Sequence, residues 1–340
     1  MNHILVTGAG GYIGCILVDE LLANGFRVTA LDRYFFGEDV FRQHQSNPNF
    51  GQRKADIRDL RPEDFTGVNV VCDLAALSND PSADLDPQLT EAVNFAGRLH
   101  VANCAREAGV GRYILSSSCS IYGIGEGEGL DETTPARPLT TYAKASLKAE
   151  EHTRELMSDD FTWTAIRNAT VFGLSRRMRF DLVINLMTLN AVQKGKIFIL
   201  GGGRQWRPLV HVRDVARAFI RVIQGSREAV HGQLFNVGLA NYQVLSLAYI
   251  VRETLPFPIE VEIAPDNVDQ RNYKVSFDKL RTHLGFAPGV TVPEGIREIY
   301  EAMKTGQVFP GPETSTVGWY RTLLEAEKLV ERARLNGRLL

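Results

Sequence analysis

A chain of 340 residues with 44% apolar and 23% charged composition carries enough apolar material for one large domain or two modest ones. Its formal net charge of -2 excludes the strongly basic balance of a nucleic-acid or membrane-surface binder, so neither partner is expected. Cys15, Cys72, Cys104 and Cys119 lack metal-ligand spacing, so no metal site is expected and a reducing, cytoplasmic compartment is the natural setting.

The chain opens directly on a strand-like run, with no charged leader or long apolar stretch, which argues against secretion and membrane insertion. His3–Thr7, Arg27–Asp32, Val68–Leu74, Arg112–Ser116 and Trp163–Arg167 read as strands. Tyr12–Asn24, Ala92–Ala108 and Tyr142–Met157 read as the helices between them. This alternation predicts an α/β fold, a Rossmann-type doubly wound parallel sheet. After residue 173 the pattern loosens. Segments 182–194, 214–224, 245–254, 276–284 and 293–304 look helical between Gly- and Pro-rich loops. The expected division is a Rossmann domain over 1–173, a smaller substrate lobe over 174–318 that can return to the main sheet, and a C-terminal helix within 319–340. The tail over 319–336 reads as a charged amphipathic cap, solvated or facing a second subunit.

The first strand runs straight into Gly8-Ala9-Gly10-Gly11-Tyr12-Ile13-Gly14 and a helix. There Gly8 would allow the tight turn, Gly11 the approach of a pyrophosphate to the helix N-terminus, and Gly14 close helix–sheet packing. The second strand ends in Asp32, at the distance of an acid that binds the adenosine ribose. A carboxylate there repels a 2′-phosphate and favours NAD over NADP, while the adjacent Arg33 softens that preference.

With its GxxGxxG spacing, the chain resembles over nearly its whole length the extended short-chain dehydrogenase/reductase family, the nucleotide-sugar epimerases and dehydratases. The resemblance implies that Asp56-Ile57 sit at the adenine, that Leu74-Ala75-Ala76 line the cofactor after the fourth strand, and that Asn94 supports the active-site backbone. Tyr12 and Ile13 belong to the same cofactor turn. The run Arg112–Gly123 is similar to the family's strand and active-site loop. Within it Ser118 corresponds to the hydroxyl that binds the substrate's C4 oxygen, whereas Ser116, Ser117 and Ser120 are expected only to satisfy backbone groups. Tyr142 is the expected acid/base.

Two departures limit this reading. Cys119-Ser120 stand where a 4,6-dehydratase carries Asp-Glu, which disfavours ordinary dehydration but leaves Cys119 open as a proton-transfer group or a space filler. Ser146 stands where a lysine normally holds the nicotinamide ribose and favours the tyrosinate. Lys144 and Lys148 lie roughly 200° and 240° around the helix from Tyr142 and do not replace it. An altered enzyme, a non-catalytic relative and a disabled form of an ordinary enzyme all remain open.

Further on, Thr170 falls at the family's usual asparagine, with Asn168 two residues earlier. Arg179 opens a helix for which Asp181 is the expected N-cap. Arg207 matches the arginine that grips the nucleotide diphosphate, and Arg271 is a second candidate clamp. In His211–Ala216 the histidine reads as structural and Asp214 as a helix cap. The substrate implied is a nucleotide-diphosphate sugar. The activity implied is NAD-dependent 4-epimerisation through a transient 4-keto sugar. The alternatives are a keto-sugar reductase or C3/C5 epimerase using Cys119, and a catalytically silent binding protein. Helices 92–108 and 142–157 would form the seam of a homodimer.

Overall fold

The computed structural model describes residues 2–123, 129–264 and 272–339. Seven strands form the central sheet: β1 (His3–Thr7), β2 (Arg27–Asp32), β3 (Phe50–Lys54), β4 (Val70–Asp73), β5 (Arg112–Ser118), β6 (Thr162–Asn168) and β10 (Gln233–Val237). Their spatial order is β10-β6-β5-β4-β1-β2-β3, and every pair is parallel. Strands covered on both faces need apolar side chains on both, so β4 and β6 are buried at every position. The edge strand β3, Phe-Gly-Gln-Arg-Lys, has no apolar run to announce it. It exists because the open edge of β2 pairs with it from Val28 to Asp32.

Helix α1 (Tyr12–Ala23) follows β1. A single π-helical turn, Ala92–Gly97, precedes α2 (Arg98–Glu107), so the segment read as one continuous helix is broken at its start. Helix α3 (Thr141–Arg154) is capped by the Thr140 hydroxyl, which accepts from Ala143 N. Trp163, fully buried on β6, donates Nε1–H to Thr153 Oγ1 of α3 at 2.9 Å, so its one polar atom is satisfied in the core.

The second half contains more strand than its sequence announces. β7 (Thr170–Phe172), β9 (Trp206–His211) and β11 (Ala240–Gln243) form a small sheet, and β8 (Lys196–Leu200) pairs with β12 (Glu260–Ala264). Around them pack α4 (Val183–Lys194), α6 (Val244–Thr254) and α8 (Val292–Lys304), enclosing a second apolar core that includes Phe172, Ile184, Leu209, Leu247 and Ile296. The same half returns to the main sheet through β10 and through α5 (Val212–Gln224), whose apolar face shares the core of α1. Helix α7 (Asp278–Leu284) joins that core through Leu280 and Leu284.

Helix α9 (Thr316–Ala333) carries the tail read as an amphipathic cap, solvated or facing a second subunit. Most of it is exposed, but its first turn is anchored: Trp319 donates Nε1–H to the Phe35 carbonyl at 2.7 Å, and the Tyr320 ring meets Phe35 and Phe36. Among the described residues, no helix is long and apolar enough to cross a membrane.

Candidate active site

The carboxyl ends of the parallel strands open into one cavity of about 840 Å³ that runs from the glycine turn to Arg207. This is the edge of an open α/β sheet where ligands bind.

At one end the backbone sets the shape. Gly8 adopts φ +64°, and a Cβ there would lie 2.7 Å from the Ala75 nitrogen. A Cβ on Gly14 would lie 2.3 Å from the Gly8 carbonyl oxygen, so the helix sits against the strand at a distance that only glycine permits. Gly11 is the N-cap of α1 and has no side-chain cap, which leaves the amides of the first turn to a ligand. Asp32 accepts from Gly10 N at 3.0 Å and Tyr34 N at 2.7 Å, and burial pushes its carboxyl pKa up against those bonds.

Arg33 is engaged elsewhere. It pairs with Asp56 at 3.0 Å and lies over the Phe35 ring. The hydrogen bonds and charge of Arg58, helped by Arg33, pull the Asp56 carboxyl down to about 2. Ile13, Ile57, Leu74, Ala75 and Ala76 line the cavity. So does Tyr12, whose hydroxyl donates to the Gly173 carbonyl at 2.6 Å. Asn94 does not reach the cavity. From the π-turn its amide clamps both backbone groups of Leu77, accepting from N at 2.8 Å and donating to O at 3.1 Å. Together these residues fit a dinucleotide: a side-chain-free cradle at a helix N-terminus, an acid at the end of β2, and an apolar wall after β4.

Ser118 and Tyr142 also line the cavity. The phenol is held above its ordinary pKa by burial, against the pull of the Arg98 guanidinium and a hydrogen bond with Ser118. Asp80, also in the lining, pushes it up as well. Arg98 is itself pinned, donating to the carbonyls of Asp73 and Ser116 at 2.7 Å each.

The three positions that could have supplied a nearer cation do not. Ser146 is buried outside the cavity lining and donates to the Tyr142 carbonyl at 2.9 Å, a bond within its own helix. Lys148 pairs with Glu91 at 2.5 Å, and Lys144 is exposed.

Cys119, open as a proton-transfer group or a space filler, does not line the cavity. Its thiol is buried and donates to the Arg167 carbonyl at 3.3 Å, and burial pushes its pKa far up. The serines beside it depart from the expectation that they only satisfy backbone groups. Ser116 accepts from Asn168 at 3.0 Å, but the buried hydroxyls of Ser117 and Ser120 have no partner and belong to the cavity wall.

At the far end Thr170 and Arg207 line the cavity, and Arg207 donates to the Trp206 carbonyl at 2.7 Å. Arg179 also lines it, but forks onto Asp181 at 3.0 and 2.9 Å and reaches Ser78 at 3.1 Å. Asp181 is therefore a partner of Arg179, not the N-cap of α4, which is Leu182. Similarly Asp214 accepts from Gly289 N and Val290 N, and the side chain capping α5 is that of His211, whose Nε2 bonds Glu298. Arg271 lies outside the described residues. Sequence reasoning missed Phe35, Phe36 and Tyr320 in the lining, whereas Arg177 belongs to the arginine cluster Arg176-Arg177-Met178-Arg179, which suits a small anionic ligand. No local pattern marks Tyr320, because α9 meets Phe35 and Phe36 only in the folded chain.

The model of the NAD dependent epimerase/dehydratase family matches residues 4–238. The chain belongs to that family. Membership makes it an NAD-dependent enzyme of the epimerase/dehydratase kind. It is 32% identical over 310 residues to a UDP-glucose 4-epimerase of Mycolicibacterium smegmatis, covering 87% of this chain and 97% of that one. It is 27% identical to UDP-glucuronic acid decarboxylase 2 of Arabidopsis thaliana, over 86% of this chain and 66% of that one. The solved structure of MoeE5 in complex with UDP-glucose and NAD superposes with a TM-score of 0.78 at 24% identity, covering 90% of this chain and all of that one, and shows the shared fold.

Proposed function

We propose that the chain is a nucleotide-sugar 4-epimerase that works through a transient 4-keto sugar. The observation that carries this reading is that Tyr142 and Ser118, joined by a side-chain hydrogen bond, line the same cavity as the glycine turn and Arg207. Gly8, Gly11, Tyr12, Ile13 and Gly14 would cradle the cofactor's pyrophosphate, with Asp32 on the adenosine ribose and Asp56-Ile57 at the adenine. Leu74, Ala75 and Ala76 would line its nicotinamide half, and Asn94 would hold that loop in shape. When bound, NAD supplies the acceptor and donor of a hydride.

Tyr142 takes the proton of the sugar's C4 hydroxyl and returns it, and Ser118 orders that oxygen. Rotation of the keto sugar between loss and return of the hydride would present the other face of C4, so that the C4–H bond re-forms with inverted configuration. Arg207, Thr170 and Arg179 would hold the nucleotide diphosphate and sugar, with Arg271 a further clamp. The similarity to a UDP-glucose 4-epimerase supports a UDP-hexose as the substrate to try first.

The buried thiol of Cys119, bonded to a backbone carbonyl, weighs against its use as a base. A second reading, a binding protein with little turnover, is favoured by one observation: the phenol has no lysine beside it. Incubation with UDP-glucose and UDP-galactose, with product NMR, tests both. Interconversion supports the epimerase. Bound nucleotide sugar with neither interconversion nor a reduced cofactor band supports the binding protein.

We propose a homodimer seam along the π-turn with α2 and along α3, two segments that pack on each other within the chain through the Phe95 and His152 rings at 4.9 Å. The mass in solution by light scattering checks it. The four cysteines are free and buried, which suits a reducing, cytoplasmic setting.

A further inference from the structure

The loop from Gly173 to Asp181 carries three arginines, and they are not equivalent. Arg176 is spent on Asp19, the Cys15 carbonyl and the Val40 carbonyl. Arg179 shares its charge with Asp181 and reaches Ser78. Arg177 is only 6% exposed, yet its Nε and Nη1 have no hydrogen-bond partner. Its one bond runs from Nη2 to Thr316 Oγ1 at 2.8 Å, and its guanidinium lies 3.6 Å from the Phe36 ring centroid. A buried guanidinium with unmatched donors is costly unless an anion completes it.

The position of Arg177 says which anion. Its neighbours in sequence fasten the loop across the first turns of α1: Ser175 donates to the Tyr12 carbonyl at 2.8 Å, and Arg176 donates to the Cys15 carbonyl at 3.2 Å. That end of α1 is where a dinucleotide's pyrophosphate meets the backbone amides. Arg177 lines the same cavity as Gly11, Asp32 and Tyr320.

We propose that Arg177 is a pyrophosphate clamp for NAD, held in place by Phe36 and Thr316. The proposal rests on the cofactor assignment and adds a role for helix α9. Thr316 and Tyr320 make the C-terminal helix part of the cofactor site, so that a segment far from the glycine turn contributes to cofactor retention. The forked geometry of a guanidinium suits two phosphate oxygens.

The test measures binding of NADH by fluorescence titration and of adenosine by competition, alongside melting of the apo and NAD-loaded protein. Arg177→Met keeps the packing over Phe36 and removes the charge. It should weaken NADH by about tenfold to a hundredfold, the range for a lost charged hydrogen bond, and leave adenosine unchanged. Apo R177M should melt no lower than the wild type, and NAD should raise its melting point less. R177K should fall between them. NADH affinity unchanged in R177M would overturn the clamp. Equal losses for NADH and adenosine would do the same. So would an apo R177M that melts well below the wild type or fails to fold, since the arginine would then be structural. Wild-type protein that bound no NADH would instead overturn the cofactor assignment beneath it.

Discussion

The two halves of the cavity are built from different materials. At the cofactor end the chain's backbone makes the site: Gly8, Gly11 and Gly14 leave amides and empty space, and a Cβ at two of them would strike backbone atoms at 2.7 and 2.3 Å. At the chemical centre everything depends on side chains on α3 and β5, and one of them is missing. Tyr142 has its hydroxyl partner in Ser118, but the next turn of its helix supplies a serine bonded to its own backbone. Backbone sites tolerate almost no substitution because there is nowhere for a side chain to go. Side-chain sites can lose a member and keep their shape, so binding and turnover can part company in this protein.

The sharpest break of this comparison is at the glycines. Gly14→Val should abolish NADH binding in a fluorescence titration and lower stability by about 1–3 kcal/mol or more, because the clash is with backbone that cannot move aside. Tyr142→Phe should cut sugar turnover by about 10²–10⁴-fold, the range for a positioned acid/base, with NADH affinity unchanged. If turnover survived, the chemistry would not pass through that phenol.

S146K sharpens the contrast from the other side. Burial holds the Tyr142 phenol above its ordinary pKa, so the reactive tyrosinate is scarce at neutral pH and wild-type turnover should climb as pH rises from 7 to 9. A lysine one turn away favours the tyrosinate. It should raise turnover at pH 7 by about tenfold or more and move the rising limb to lower pH. An unchanged pH–rate profile would show a site adapted to serine. The smallest effect is expected at Cys119: C119A should leave kcat/KM within about twofold, as for a group that makes no transition-state contact. A loss of a hundredfold would return the thiol to the mechanism.

Legibility followed the same division. The glycine spacing, Asp32 at the end of β2, and the apolar strands of the sheet could be read because each rests on local geometry: a turn, an alternation, a buried parallel strand. The edge strand β3 was illegible because its residues are polar and its pairing is supplied by β2. The small strands of the second half escaped for a related reason, since each is only three to six residues long and paired with distant chain. Side-chain partners were the least legible. Asp181 and Asp214 both stand where a helix cap is expected, yet one faces Arg179 and the other the amides of Gly289 and Val290. Nothing local distinguishes a cap from an ion pair or a loop anchor.

The sequence by itself determined the parallel sheet, the dinucleotide turn and the absence of a lysine one turn after Tyr142. These follow from spacing along one segment, and no fold can alter them. Only the tertiary structure decided that Cys119 faces a carbonyl behind the wall, that Arg33 belongs to Asp56, and that the last helix brings Thr316 and Tyr320 to the cofactor end. Those outcomes depend on which distant groups compete for each donor and acceptor once water is excluded. That competition exists only in the assembled chain.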